Sequence, residues 1–174
     1  MKAVTNAGPL IALAKLGVVS LLARLYDPVL VPTAVFDEVV TRGLELGEAD
    51  AYAVQLAVAR RELQVITEDA AEAEPAEENA SLHSGELAVI RLARQAQADW
   101  LLLDDQLARE HAQQLGLRVK GTLGVLVDAY RRQFLSRAEV EIVFQAILDR
   151  DDVWISDALV RRVWRALISE DRGS

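Results

Sequence analysis

Residues 100–110, WLLLDDQLARE, decide the fold. Four apolar residues follow one another without the alternation of a half-exposed strand, so the run fits a strand covered on both faces. Two aspartates end it, and a helical pattern begins at 105. A buried strand that passes through an acidic turn into a helix is the repeating step of a parallel α/β sheet. The same step recurs on either side. Strands are expected at 3–6 (AVTN), 28–32 (PVLVP), 63–67 (LQVIT), 100–104 (WLLLD) and 117–120 (LRVK). Helices are expected at 9–16, 18–26, 33–42, 48–61, 84–97, 105–115 and 122–132. Gly17, Gly43, Gly116 and Gly121 fall where those elements should close. From residue 136 the pattern changes. SRAEVEIVFQAILDR (136–150) and SDALVRRVWRALI (156–168) read as two helices, each opened by a serine cap. The expected organisation is an α/β domain over 1–135 with a helical extension, 136–174, packed on it.

Composition bounds the class. The chain has 174 residues, enough for one ordinary domain with an appendage. Hydrophobic residues make up 52% and charged residues 26%, the balance of a globular chain rather than a disordered one. There is no cysteine, which excludes disulfides, thiolate metal sites and a cysteine nucleophile, and fits a reducing cytoplasm. The opening apolar run is interrupted by Asn6, Pro9 and Lys15 and lacks a small-x-small cleavage site, so it does not read as a secretion signal. No stretch has the eighteen or so uninterrupted apolar residues of a membrane span. The net charge of −8 is uneven: removing the six acids of the 67–80 tract, TEDAAEAEPAEENA, leaves −2 for the rest. That tract reads as a solvated acidic loop, and the near-neutral remainder does not exclude a polyanionic substrate.

In an open parallel sheet, ligands bind beyond the carboxyl ends of the strands. This brings Asn6, the Asp104–Asp105 pair and the Gly121–Thr122 step to one edge. One aspartate after the strand is needed to cap the next helix; two adjacent carboxylates repel, and a divalent cation would relieve that. Asp104 is therefore a candidate ligand. Glu86 follows a possible Ser84 cap, in the first turn of its helix, where the helix dipole favours an acid. It also lines up with Val89, Ile90 and Ala93 on the apolar stripe, where a carboxylate needs a partner. Glu38 lies beside the apolar residues Val35, Phe36, Val39 and Val40. Its spacing fits an ion pair with Arg42 at least as well as a catalytic role. Asn6 fits a helix cap before Gly8–Pro9, and its amide oxygen also suits a hard cation. Thr122, at a helix start, is a weaker candidate for holding a water or phosphate oxygen. His83 and His111 are too far apart for a ligand pair and read as surface or loop residues. There is no G-x-G-x-x-G, Walker loop, zinc-finger spacing or G-x-S-x-G elbow. Oxygen ligands at strand ends suit Mg²⁺ or Mn²⁺, and such sites commonly serve phosphodiester hydrolysis.

Taken together, TNAGPLIALAKLG (5–17), VPTAVFDEVV (31–40), LHSGELAVIRLA (82–93), LLLDDQLARE (101–110) and VKGTLGVL (119–126) resemble a PIN domain. That is the fold of many ribonucleases, including the VapC-type toxins of bacterial and archaeal toxin–antitoxin pairs. The likeness spans roughly residues 1–135, and WISD (154–157) is similar to one PIN subfamily. It implies a three-layer α/β/α sandwich with a central, mainly parallel sheet, and endoribonuclease activity with Mg²⁺ or Mn²⁺. It also implies a small antitoxin partner and a homodimer. Position by position, the family's acids fall on Asn6, Glu38, Glu86 and Asp104, with Asp105 beside the last. Asn6 departs from the pattern, since an amide stands where most relatives carry an acid. The alternative is a catalytically weakened PIN-like module that binds RNA or a partner protein, with Arg161, Arg162 and Arg165 of the tail as contacts. A small-molecule enzyme on a similar sheet has no cofactor motif behind it. Lys15, Arg109 and Lys120 are the candidates for substrate contact near the site.

Overall fold

A computed structural model of the chain describes residues 1–67 and 84–171. The acidic tract from residue 68 onward and His83 lie outside the described residues, as does the side chain of Ser84 and hence its expected cap. The elements run β1 Ala3–Thr5, α1 Ala7–Lys15, α2 Leu21–Leu25, β2 Val29–Pro32, α3 Thr33–Phe36, a π-helical turn Asp37–Thr41, α4 Arg42–Glu45, α5 Ala49–Ala59, β3 Gln64–Ile66, α6 Ser84–Gln95, β4 Trp100–Leu102, α7 Gln106–Gln114, β5 Val119–Lys120, α8 Thr122–Arg131, α9 Arg137–Asp149 and α10 Asp157–Asp171.

Each expected strand is present and one or more residues shorter. All four pairings are parallel, in the order β3-β2-β1-β4-β5. Two crossovers carry the chain outward from β1 to β2 and β3. The next returns past β1 to β4, and the last continues to β5. The order therefore reverses between β1 and β4, the switch point where such sheets open a crevice. Right-handed crossovers put α1 and α5 over one face and α6 and α7 over the other. Accordingly α6 lies against β1, β2 and β4, α7 lies against β5, and α1 packs on α5 and α8. The result is a three-layer α/β/α sandwich.

The central strands carry the burial: β1 and β2 are buried from end to end, as are Leu101, Leu102 and Leu103, while the edge strands β3 and β5 are partly exposed. Burying a leucine of this kind contributes about 1.5–3 kcal/mol, so a few residues per strand suffice. The same core continues into the tail, where Val140, Phe144, Ile147, Val160 and Leu167 join it, and the Phe144 and Trp164 rings stand 5.3 Å apart. Ser136 caps α9 as expected, and Glu139 completes a capping box with it.

Two local expectations are corrected. The helix expected over 18–26 is only Leu21–Leu25: the end of α1 is closed by Gly17 at φ +71° with Val18 N–H donating to Leu13 O, and residues 18–20 form the turn that leads into α2. Gly43 does not end a helix. It lies inside α4, where a Cβ would stand 2.7 Å from the Ala51 Cβ, so its smallness serves the close crossing of α4 and α5. Among the described residues, no helix is long and apolar enough to cross a membrane.

Candidate metal and nucleic-acid site

The parallel ladder pairs Thr5 with Leu102, and the next rung is Asn6 N–H donating to Leu102 O at 3.0 Å. Asn6 and the Leu103–Asp104 step therefore leave the sheet side by side at the switch point. Asn6 holds the N-cap position of α1 with extended backbone, but its side chain makes no capping hydrogen bond. The expectation that it caps the helix is thus not met. Its amide oxygen lies instead toward the start of α6, where a Cβ built on Gly85 would stand 4.0 Å from it and 3.4 Å from Glu38 Oε2.

Glu38 arrives there from the π-helical turn after β2. A π turn replaces i→i+4 bonds by i→i+5 bonds, an insertion frequent at functional sites. The wider turn takes residues four apart out of α-helical alignment, and no ion pair joins Glu38 to Arg42 among the described residues. Glu86 follows Gly85 in the first turn of α6, on the opposite layer. Glu38 is exposed and Asn6 and Glu86 are half-buried. The end of β1 and the π-helical turn thus bring an amide oxygen and a carboxylate to one glycine of α6, with Glu86 the next residue along the chain.

The other strand end is built differently. Asp105 is the helix cap: its Oδ1 accepts the Ala108 N–H at 2.9 Å. Asp104 is left for another task, and both of its oxygens are gripped by Thr122, Oδ1 by the backbone N–H at 2.7 Å and Oδ2 by the hydroxyl at 2.6 Å. Thr122 is buried and begins α8, so the positive end of that helix faces the carboxylate. Its donors are held by Asp104 rather than presented to a water or phosphate. Gly121 makes the approach possible: a Cβ there would stand 2.8 Å from Asp104 Oδ1 and 3.0 Å from an Arg109 guanidinium nitrogen.

The basic candidates are tied down. Arg109 donates to Leu103 O at 2.8 Å and pins the end of β4. Lys120 pairs with Asp128 and stands 3.7 Å from the centre of the Trp100 ring. Lys15 pairs with Asp152 at 3.3 Å. The Arg150 guanidinium, with Lys15, holds the Asp152 carboxyl far below the usual carboxylate range. Arg161, Arg162 and Arg165 are exposed on α10.

The donor set at the two strand ends is all oxygen, hard in character, and fits a divalent cation such as Mg²⁺ or Mn²⁺ in kind. Among the described residues, no three His, Cys, Asp or Glu side chains come together as a metal-holding group. Sequence reasoning missed that Gly121 admits the Asp104 carboxylate and that Thr122 clamps it. It also missed a groove beside Asp104 walled by residues 152–155. The WISD stretch was the only signal for that wall.

Among curated proteins, none matches this sequence. Among solved structures, a PilT N-terminus domain protein from the hyperthermophilic archaeon Sulfolobus solfataricus P2 is similar over 75% of this chain and 94% of its own, with a TM-score of 0.53 and 17% identity, a likeness of fold. A domain of a functionally unknown protein from Methanocaldococcus jannaschii DSM 2661 is similar over 69% of this chain and 89% of its own, with a TM-score of 0.46 and 17% identity. A PIN domain family model matches residues 2–169, which takes in the C-terminal helices as well as the sheet. The chain therefore belongs to the PIN domain family, which has a nuclease-type fold and generally uses divalent metal ions.

Proposed function

We propose that this protein is a metal-dependent endoribonuclease that hydrolyses RNA phosphodiesters, of the kind that serves as the toxin of a toxin–antitoxin pair. The observation that carries the reading is the meeting of Asn6 Oδ1 and Glu38 Oε2 at Gly85, next to Glu86, on the same sheet edge as the clamped Asp104. Asn6, Glu38, Glu86 and Asp104 would hold Mg²⁺ or Mn²⁺. When bound, the cation supplies Lewis acidity at the phosphate and a more acidic water. Thr122 keeps both Asp104 oxygens in one orientation, and Gly121 lets it do so. Glu38, with no ion pair among the described residues, is the carboxylate available to accept the proton of the attacking water. Asp105 shapes the turn as the cap of α7. A cytoplasmic location is supported by the absence of cysteine. A small antitoxin and a second copy of the chain complete the proposed partners.

The test is cleavage of single-stranded RNA by the purified protein with Mn²⁺ or Mg²⁺ and with chelator. Activity is expected with metal only. Glu38→Gln and Asp104→Asn should each reduce it by about 10²-fold or more; undiminished cleavage by either variant overturns the assignment.

A second reading has its own observation, the amide at Asn6 together with the lack of a three-acid group among the described residues. In that reading the protein is a catalytically weakened PIN module that binds RNA or a protein. An inactive wild type that gains Mn²⁺ binding and cleavage on Asn6→Asp favours it. A wild type that is already active, and only modestly improved by the same change, favours the nuclease.

A further inference from the structure

Beside Asp104 lies a groove of about 310 Å³ whose walls include Gly8 and Ile11 of α1, Asp104 itself, and Val153, Trp154 and Ile155. Its volume is at the small end for ligand sites. We propose that it seats an unpaired nucleobase of the RNA, stacked on the Trp154 indole, next to the phosphate at Asp104. This deepens the ribonuclease reading and rests on it.

The far wall is a fixed one. Val153 is 5% exposed and joins the hydrophobic core, and Ile155 packs against that core. Asp152 takes two bonds of 2.8 Å from Arg150 and an ion pair from Lys15 across the groove. Between these anchored neighbours Trp154 is 92% exposed. A lone exposed apolar side chain is ordinary. An indole held out on anchored backbone, along a groove that ends on a clamped carboxylate, is a stacking platform. At the near wall Gly8 has no side chain; a Cβ there would stand 3.6 Å from Asp104 Oδ2 and would narrow the groove where it meets the acid.

A base is favoured as the occupant by that continuity. Whatever fills the groove lies against Asp104, and in single-stranded RNA the group one bond series away from a phosphate is a planar base free to splay out. Base–aromatic stacking needs no charge, which suits a groove whose cation, Lys15, is already paired.

The experiment uses the full chain carrying Asp104→Asn, with chelator, so that binding is read without cleavage. The probe is a short unstructured oligoribonucleotide of A and U, with a series in which one base at a time is removed to leave an abasic sugar. Binding should quench tryptophan emission. Trp154→Ala should weaken it about 5- to 150-fold, the range of one stacked base, and Trp154→Phe should restore most of the affinity. One abasic position should weaken binding to the Trp154 protein and have no effect on the Trp154→Ala protein.

Equal affinity of the Trp154 and Trp154→Ala proteins overturns the inference and leaves the groove to a protein partner. If the Asp104 protein then still cleaves RNA with metal, the ribonuclease reading stands without it. Conversely, Trp154-dependent binding with no cleavage under any metal keeps the base seat and removes the nuclease. No RNA binding by any form removes both.

Discussion

At the switch point the ends of β1 and β4 lie one rung apart and treat their polar groups in opposite ways. Asp104 is gripped at both oxygens by the first residue of a buried helix. Across the rung, Asn6 occupies a cap position without capping, and it meets a glutamate that has no ion pair with its helical neighbour Arg42. One corner is finished by the fold, while the other is left with oxygen donors pointing at a glycine. A carboxylate gripped at both oxygens stays in place. At the Asn6–Glu38 corner no such brace is found among the described residues, and the proposed cation would supply it.

The sharpest way to break this comparison is at the braced corner. Thr122→Val keeps the shape and removes the hydroxyl from a charged acceptor, so it should cost about 1.5–3 kcal/mol of stability. Urea unfolding measures it, and a loss below a few tenths would mean that the clamp is not what fixes Asp104. Gly121→Ala keeps both bonded partners but forces a Cβ to 2.8 Å from the carboxylate. The expected cost is about 1–3 kcal/mol, and a neutral result would show that the α8 start can shift freely.

The two candidate caps should separate cleanly. Asp105→Ala removes a real cap bond and should cost about 1 kcal/mol. Asn6→Ala should cost less than about 0.5 kcal/mol, because no cap bond is lost, while weakening Mn²⁺ binding by calorimetry. Equal costs would return Asn6 to a structural role.

The smallest effect is expected away from the site. The Tyr26 hydroxyl is buried without a hydrogen-bond partner among the described residues. Burial, with help from nearby Asp128, raises its pKa well above the ordinary tyrosine value. The folded state therefore holds the phenol proton more tightly than the unfolded chain. Stability from this group is complete below the unfolded value of about 10 and falls as pH rises past it. Tyr26→Phe should be within about 0.5 kcal/mol of the parent near neutral pH and should lose less stability above pH ~10. Parallel alkaline losses in both proteins would exclude Tyr26 as the source.

Much of this was legible in advance because it is periodic or local. WLLLDD announced a buried central strand, and every strand appeared where an apolar run met a turn. Ser136 announced a helix cap, which the structure completes as a capping box with Glu139. The pair Asp104–Asp105 announced two tasks without saying which residue had which. Only the hydrogen bonds of Ala108 and Thr122 divided them. The Glu38–Arg42 pair was misjudged for a related reason. Spacing arguments assume an α-helix, and residues Asp37–Thr41 form a π turn packed on α5 and α1.

The sequence by itself determined the alternation of strands and helices, the parallel sense that follows from it, and the residue types at each strand end, because these depend on neighbours within a turn or two. Tertiary structure alone decided the strand order that sets β1 beside β4. It also decided the meeting of Asn6 with Glu38 at Gly85, and the wall that Trp154 raises beside Asp104, fifty residues away in the chain. Those are contacts between distant segments, fixed by which faces the one continuous core buries, and no local pattern encodes them.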